Sequence, residues 1–228
     1  MNCNIFMIYL VKRLDGENRM NLLQVRKMML FTAQKMVESE PELTALDQIV
    51  GDGDHGIGMK RGFASIIELL QDEKFQPTDI GDFFIKIGTK LMTSMGGASG
   101  AIFGTLFRTG GKSIVGTMEL NSEVFAKFLN DGWQGVYQRG NAEPGDKTMV
   151  DALSAASKSA NELTHLTLNE ALPIIAKSAM EGAEKTKQMI AVFGRAKNLG
   201  DRTIGHMDPG AVSMAFILKY MNDYIHMQ

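Results

Sequence analysis

Apolar residues recur at helical spacing along most of the chain. The first stretch runs from Leu22 to Val37, where apolar side chains three and four residues apart form one broad stripe. The same pattern predicts further helices over residues 59–70, 80–95, 98–108, 122–137, 146–163, 167–192 and from 208 onward. No segment alternates apolar and polar residues at period two, so strands are not predicted. The chain is therefore predicted to form an all-α fold, a bundle or helical barrel of about eight helices.

Two helix starts carry capping signals. Thr167 and Glu170 form a capping box before an apolar run, although Pro173 in the first turns leaves a start near Leu172 as an alternative. Asp208 followed by Pro209 predicts the start of the last helix, with aspartate as N-cap and proline at the first helical position.

Composition limits the class of protein. The 228 residues are 44% hydrophobic, which allows a sizeable core, and the net charge of −2 argues against a nucleic-acid partner. No apolar run approaches the length that spans a membrane. The single cysteine, Cys3, fits a reducing cytoplasm. We predict one domain over residues 20–228, preceded by a disordered extension over residues 1–19.

An acidic, glycine-broken segment carries the most chemistry. Asp52 and Asp54 are separated only by Gly53, and Asp47 lies five residues before Asp52. Three carboxylates that converge repel one another unless a cation lies between them, and hard oxygen ligands suit Mg²⁺ or Ca²⁺. A calcium EF-hand loop is excluded, since the twelfth position counted from Asp52 is Phe63 rather than an acid. A solvated Asp-Gly turn remains the alternative to a metal site.

Glycine-rich segments add candidate anion sites. Gly96–Gly100 comes just before a predicted helix, where exposed backbone N–H groups can bind phosphate, although a helix-packing turn explains it equally well. Gly110–Ser113 looks like the end of a P-loop, but Leu106 stands where that motif needs its first glycine, so we interpret it as a loop without phosphate-binding function. A carboxylate cluster with glycine-rich helix starts favours phosphoryl transfer.

Six segments resemble the nucleotide-binding L subunit of dihydroxyacetone kinase, in family order and over about residues 22–222. They are Gly51–Gly56, Met59–Phe63, Gly96–Gly100, Gly145–Met149, Gly194–Ala196 and Gly205–Ala211. The resemblance implies an antiparallel eight-helix barrel with the nucleotide site at one end, and a glycerone or ketose kinase activity that draws on ATP or on the phosphotransferase system.

The resemblance also implies a set of binding residues. Asp47, Asp52 and Asp54 are expected to hold two Mg²⁺ ions against the phosphates of ADP or ATP. Contacts with the nucleotide are expected from His55, Gly56, Ile57, Gly58, Ala98, Ser99, Gly140, Met149, Arg195, Asp208, Pro209 and Gly210. Gly58 departs from the family pattern, which usually has asparagine there, so a polar contact is either missing or supplied by water or another residue.

The expected partners follow from the same resemblance. The ketose, dihydroxyacetone or a related short ketose such as erythrulose, would be held on a histidine of a separate K subunit, so no catalytic residue is assigned to this chain. A phosphotransferase-system M subunit is a further candidate partner, since some family members keep ADP and have it rephosphorylated in place. The alternative function is a nucleotide-state sensor that binds a transcription regulator.

Overall fold

The computed structural model describes residues 19–227, and the predicted extension over residues 1–19 lies outside them, apart from Arg19. Nine α-helices dominate this part of the chain. They are α1 (Leu22–Glu38), α2 (Glu40–Val50), α3 (His55–Gln71), α4 (Ile80–Ser94), α5 (Gly97–Ser113), α6 (Ser122–Gly140), α7 (Met149–Glu162), α8 (Leu168–Lys185) and α9 (Pro209–His226). Two 3₁₀ segments, Thr186–Gln188 and Ala196–Thr203, lie between α8 and α9.

Eight of these helices close into an antiparallel ring in the order α1, α3, α4, α5, α6, α7, α8, α9 and back to α1. The direction of neighbours is visible in their contacts. Near the start of α1, Arg26 donates through Nε to the Leu70 carbonyl at the end of α3, over 2.9 Å. Between α1 and α9, the Phe31 and Tyr224 rings are 5.9 Å apart. Just after α1, the Ser39 hydroxyl lies 2.7 Å from that of Tyr220, which comes earlier in α9. The predicted all-α, eight-helix antiparallel barrel is confirmed.

The ring encloses a core rich in phenylalanine. Phe84 lies at its centre, with its ring 4.5 Å from that of Phe128 and 5.4 Å from that of Phe83. Glycine allows the helices around this cluster to approach closely, since a Cβ at Gly110 would meet the Phe128 carbonyl oxygen at 2.5 Å. Gly110–Ser113 is thus the last turn of α5 rather than a loop, and its glycines serve helix contact.

Several predicted boundaries were wrong. The short helix α2 was not predicted, because only Leu43, Asp47 and Val50 are buried on it and its apolar stripe is thin. The helix α8 does begin after the Thr167 capping box, with Pro173 inside it, so the alternative start near Leu172 was wrong. It ends at Lys185, well before residue 192, where the chain tightens into a 3₁₀ turn.

The prediction of no strands was also wrong, although only marginally. Met20–Asn21 pairs antiparallel with Glu119–Leu120, a ladder too short to show any period-two pattern. Among residues 19–227, no helix has the combined length and hydropathy that crossing a membrane requires.

Candidate functional site

Four helices begin at one end of the ring, around a cleft of about 690 Å³. Because neighbours in the ring are antiparallel, every second helix presents its N-terminus there, and these helices are α3, α5, α7 and α9. The N-terminus of a helix carries a partial positive charge and unpaired backbone N–H groups. This end of the barrel is therefore suited to bind an anion.

The acidic cluster lies on one wall of this cleft. Asp47 comes from the last turn of α2, and Asp52 and Asp54 from the loop that joins α2 to α3. Gly53 in this loop has φ +79°, a left-handed conformation that glycine adopts without strain. Each of the three aspartates places one carboxylate oxygen within 4.8 Å of the others. The loop thus brings three hard oxygen ligands to one point.

The three carboxylates in this cluster repel one another. Burial and the negative charges of Asp52 and Asp47 raise the pKa of the Asp54 carboxyl, while Arg195 opposes that shift. Arg195 forms an ion pair with Asp52, with Nε 3.0 Å from Oδ2. Asp47 is held differently, since its Oδ2 accepts the His55 backbone N–H over 3.1 Å. A site of three mutually repelling carboxylates fits a divalent cation such as Mg²⁺.

Two of the helix N-termini are not capped by the side chain of the residue before them. The first turns of α3, after Asp54, and of α5, after Gly96, keep backbone N–H groups available at the cleft. Beside them, His55 Nδ1 lies 3.2 Å from the Ser99 hydroxyl and His55 Nε2 lies 2.7 Å from the Ser213 hydroxyl. Burial lowers the pKa of His55, which favours a neutral ring that orients Ser99.

The other side of the cleft is apolar. It is lined by side chains of α5, α6 and α7 and of the loop before α7, namely Ile102, Phe103, Val136, Ala142, Met149 and Val150. Gly140 lies beside them, and a Cβ there would already touch the Ile102 Cδ1 atom at 3.5 Å. An apolar pocket next to an anion-binding end is the arrangement that a nucleotide base and its phosphates require.

The turn before α9 closes the cleft. Asp208 caps α9 by accepting the Ala211 backbone N–H over 2.7 Å, and Pro209 and Gly210 follow it on the wall. Part of Asp208 remains open to the cleft, yet protein atoms surround its carboxyl, and this burial raises its pKa from 3.8 to about 7.

Asp208→Asn should change how stability depends on pH. Between about pH 4 and pH 7 the folded protein holds a proton at Asp208 that the unfolded chain has released, so the stabilising contribution of Asp208 falls as pH rises through that window. Asparagine does not titrate and can still accept the Ala211 N–H. Relative to the wild type, the variant should gain stability between pH 4 and 7 and then show a constant difference, as measured by urea denaturation. Parallel curves across that window would contradict this.

The cleft brings together nearly all of the residues predicted from the sequence. Its wall includes Asp47, Asp52, Asp54, His55, Ile57, Gly58, Ala98, Ser99, Gly140, Met149, Arg195, Asp208, Pro209 and Gly210. Gly56 is not on the wall. It packs against α2, where an added Cβ would meet the Thr44 Oγ1 atom at 2.3 Å. At Gly58 an added Cβ would meet only the Met95 carbonyl oxygen, at 3.6 Å, so there is room for the side chain that the family pattern has there.

Sequence reasoning missed other parts of the wall. Arg61 lies there and donates through Nε to the Ser94 carbonyl over 2.9 Å, which ties α3 to the end of α4. Lys147 is also on the wall, although only 2% of it is exposed. It lies within the Gly145–Met149 segment, but no sequence signal distinguishes a buried lysine from a solvated one.

Comparisons with known proteins identify the family of this chain. The family model of the DAK2 domain matches residues 49–223. The PEP-dependent dihydroxyacetone kinase, ADP-binding subunit DhaL, of Escherichia coli (strain K12) is 39% identical over 181 residues, which cover 78% of this chain and 85% of that protein. The PTS-dependent counterpart of Lactococcus lactis subsp. lactis (strain IL1403) is 33% identical over 84% of this chain and 92% of that protein.

A solved structure shares the fold. The dihydroxyacetone kinase of C. freundii in complex with AMP-PNP and Mg²⁺ superposes with a TM-score of 0.68 at 28% identity, and the match covers 87% of this chain and 33% of that longer chain. The DAK2 match and the near full-length similarity to ADP-binding subunits point to one conclusion. The chain belongs to the family of nucleotide-binding L subunits of dihydroxyacetone kinase.

Proposed function

We propose that this chain is the nucleotide-binding subunit of a dihydroxyacetone-type kinase, which transfers a phosphoryl group from a magnesium nucleotide to a short ketose on a separate K subunit. One observation carries the proposal. Three carboxylates, four helix N-termini and an apolar pocket meet in a single cleft. A phosphoryl donor needs a cation site, an anion site and a base site in this arrangement.

Asp47, Asp52 and Asp54 would hold the metal. Their carboxylate oxygens, within 4.8 Å of one another, can each offer a ligand and leave positions open for phosphate oxygens. We propose two Mg²⁺ ions, which would neutralise charge on the phosphates. The C. freundii kinase supports this assignment, since its structure is a complex with AMP-PNP and Mg²⁺.

The remaining wall residues would position the nucleotide. The uncapped N-termini of α3 and α5 would donate backbone N–H groups to the phosphates, with the Ser99 hydroxyl oriented by His55. The base would lie against Ile102 and Met149, beside Gly140. These donors are fixed by the fold, so they need little reorientation when negative charge shifts between the phosphates. A site of this kind accelerates transfer because the stabilising groups are already in place.

In the transfer itself, the γ-phosphoryl group would leave the β-phosphate oxygen and bond to a ketose hydroxyl oxygen, whose proton is released on the partner side. ADP then remains on this chain. We propose PEP as the ultimate donor, with a phosphotransferase-system M subunit that rephosphorylates the bound ADP. The proposal is supported by the relatives, which are named PEP-dependent and PTS-dependent.

A coupled assay tests this function. The chain is combined with its K subunit and a panel of ketoses, either with ATP or with PEP and the phosphotransferase proteins. We expect phosphorylation of dihydroxyacetone or a related short ketose with PEP, and loss of activity when the M subunit is left out. Equal rates with free ATP alone would reject the proposed donor, and no turnover of any ketose would reject the proposed reaction.

Arg195→Ala should weaken nucleotide binding without unfolding the protein. The side chain is 77% exposed and forms one ion pair, with Asp52, so the free energy of unfolding should change by about 1 kcal/mol or less. Its fork of donors suits a phosphate, and the loss of such a charge-assisted contact should raise the dissociation constant of Mg–ADP about tenfold or more. Calorimetric titration measures the affinity. An unchanged ADP affinity would show that Arg195 is only a surface charge.

A further inference from the structure

Lys147 is a buried cation to which the proposed chemistry gives no role. It lies in the loop between α6 and α7, and it is the only lysine or arginine among residues 19–227 that the fold buries, with 2% exposed. Its backbone has φ +58°, a left-handed conformation that is uncommon for a residue with a side chain. A buried ammonium and a left-handed backbone both cost stability, so compensating contacts are needed.

Those contacts join two distant parts of the chain. The Lys147 ammonium donates to the backbone carbonyls of Thr186 and His206. The two carbonyls belong to the beginning and the end of residues 186–208, which we call the closing segment. Its ends also bond to each other, since the Gly205 N–H donates to the Lys187 carbonyl over 2.7 Å and the Asp208 N–H donates to Thr186 Oγ1 over 2.9 Å. Lys147 therefore binds the closing segment where its two ends meet. We call this meeting point, residues 186–187 and 205–208, the neck of the segment.

The middle of the closing segment faces the cleft. Phe193, Gly194 and Arg195 are on the wall, and so is Asp208, the last residue of the closing segment. Among the described residues outside the closing segment, those that form polar contacts with residues 189–204 are Asp146, whose carbonyl accepts the Val192 N–H over 3.4 Å, and Asp52, in its ion pair with Arg195. The position of this part of the wall thus depends strongly on how the neck is held.

Two carboxylates oppose the loss of charge that the burial of Lys147 favours. Burial lowers the pKa of Lys147, and the negative charges of Asp208 and Asp151 oppose that shift. Asp151 stabilises the ammonium and also accepts the Thr148 N–H over 2.8 Å at the start of α7, whereas Asp208 adds to this stabilisation only once it ionises, at about pH 7. The ammonium thus links the closing segment to the N-terminus of α7, which lines the same cleft.

We propose that Lys147 is a positioning residue for nucleotide binding, whose ammonium holds the neck of the closing segment so that Arg195 and Asp208 face the cleft. The proposal rests on the proposed function, since it assigns the cleft to a nucleotide. It goes beyond that function because the position of the closing segment is set by Lys147, a residue that does not need to contact the nucleotide.

Limited trypsin digestion without nucleotide tests the tether. Trypsin can cut the closing segment after Arg195 and Lys197, and Lys74, exposed in the turn between α3 and α4, serves as an internal reference site. In Lys147→Met, which keeps an unbranched side chain but no donor, cleavage after Arg195 and Lys197 should rise about tenfold relative to Lys74. Lys158→Met, an exposed lysine on α7, is the matched control and should leave that ratio unchanged. An unchanged ratio in Lys147→Met would overturn the proposal, as would an equal rise at Lys74, which indicates general destabilisation.

Calorimetry links the tether to the ligand. Lys147→Met should raise the dissociation constant of Mg–ADP about tenfold, and Arg195→Ala should add much less in the Lys147→Met background than in the wild type, because both changes then act through one segment. Additive effects would overturn the proposal.

If Lys147→Met does not fold, Lys147→Gln carries the same measurements. If the wild type binds no nucleotide, the proposed function fails while the digestion ratio still decides the tether.

Discussion

Asp52→Ala should lower the affinity for Mg–ADP by at least roughly 100-fold and abolish phosphoryl transfer. Changes in the shell around a metal ligand already cost about 10- to 100-fold in metal affinity, and loss of a ligand should cost at least as much. Asp52 is the cleanest of the three aspartates to remove. Asp47 also accepts the His55 N–H, and Asp54 directly precedes α3, whereas Asp52 forms an ion pair with the exposed Arg195.

The same variant should fold as well as the wild type. It loses one exposed ion pair, which contributes little, and it relieves the repulsion that raises the pKa of Asp54. Without ligand, its free energy of unfolding should therefore lie within about 1 kcal/mol of the wild type. Asp131→Ala is a matched control, because it removes an aspartate with one ion pair, to Lys127, on the outside of α6. Tight Mg–ADP binding by a folded Asp52→Ala protein would reject the metal assignment.

The helical periodicity was sufficient to predict the barrel. All eight ring helices start within a few residues of their predicted positions, because each buries a stripe that repeats at helical spacing. The capping box at Thr167 was found because its two side chains are close in sequence, whereas the box at Thr148 was missed and that helix was predicted to begin at residue 146. The helix α2 failed this test because it buries few apolar side chains and mainly carries Asp47 to the cleft.

The site was predictable as a set of motifs, but the contacts between them were not. The aspartates are close in sequence, so their spacing predicted either a cation site or a solvated turn, and the structure shows that the three carboxylates converge. By contrast, Ser213 meets His55 across 158 positions of the chain, and Lys147 reaches Thr186 and His206 from 39 and 59 positions away. Such pairs form only when the ring closes. Their residues are far apart in the chain, so no local pattern in the sequence predicts the contact.

The chain should bind Mg–nucleotide by itself yet phosphorylate no free ketose at a useful rate. The cleft has places for metal, phosphate and base, and its open mouth is surrounded by the acidic loop, Gly96–Gly100 and the turn at Asp208. A γ-phosphate at this mouth would meet water unless a partner covers it. A K subunit should also hold the ketose against the phosphate, which converts a bimolecular reaction into an intramolecular one. Adding it should therefore raise the transfer rate by at least roughly 1,000-fold.

Exposed apolar side chains near the mouth offer the surface for this docking. Ile49, on α2, is 51% exposed and Val192, in the closing segment, is 44% exposed, and neither lines the cleft. Ile49→Asp and Val192→Asp should each reduce transfer in the presence of the K subunit while Mg–ADP affinity stays at the wild-type value. Val115→Asp is the control, since Val115 is 59% exposed just beyond the C-terminus of α5, at the opposite end of the barrel. Robust phosphorylation of free dihydroxyacetone or erythrulose by the chain alone would refute the two-subunit function, because the ketose would then have a site on this chain.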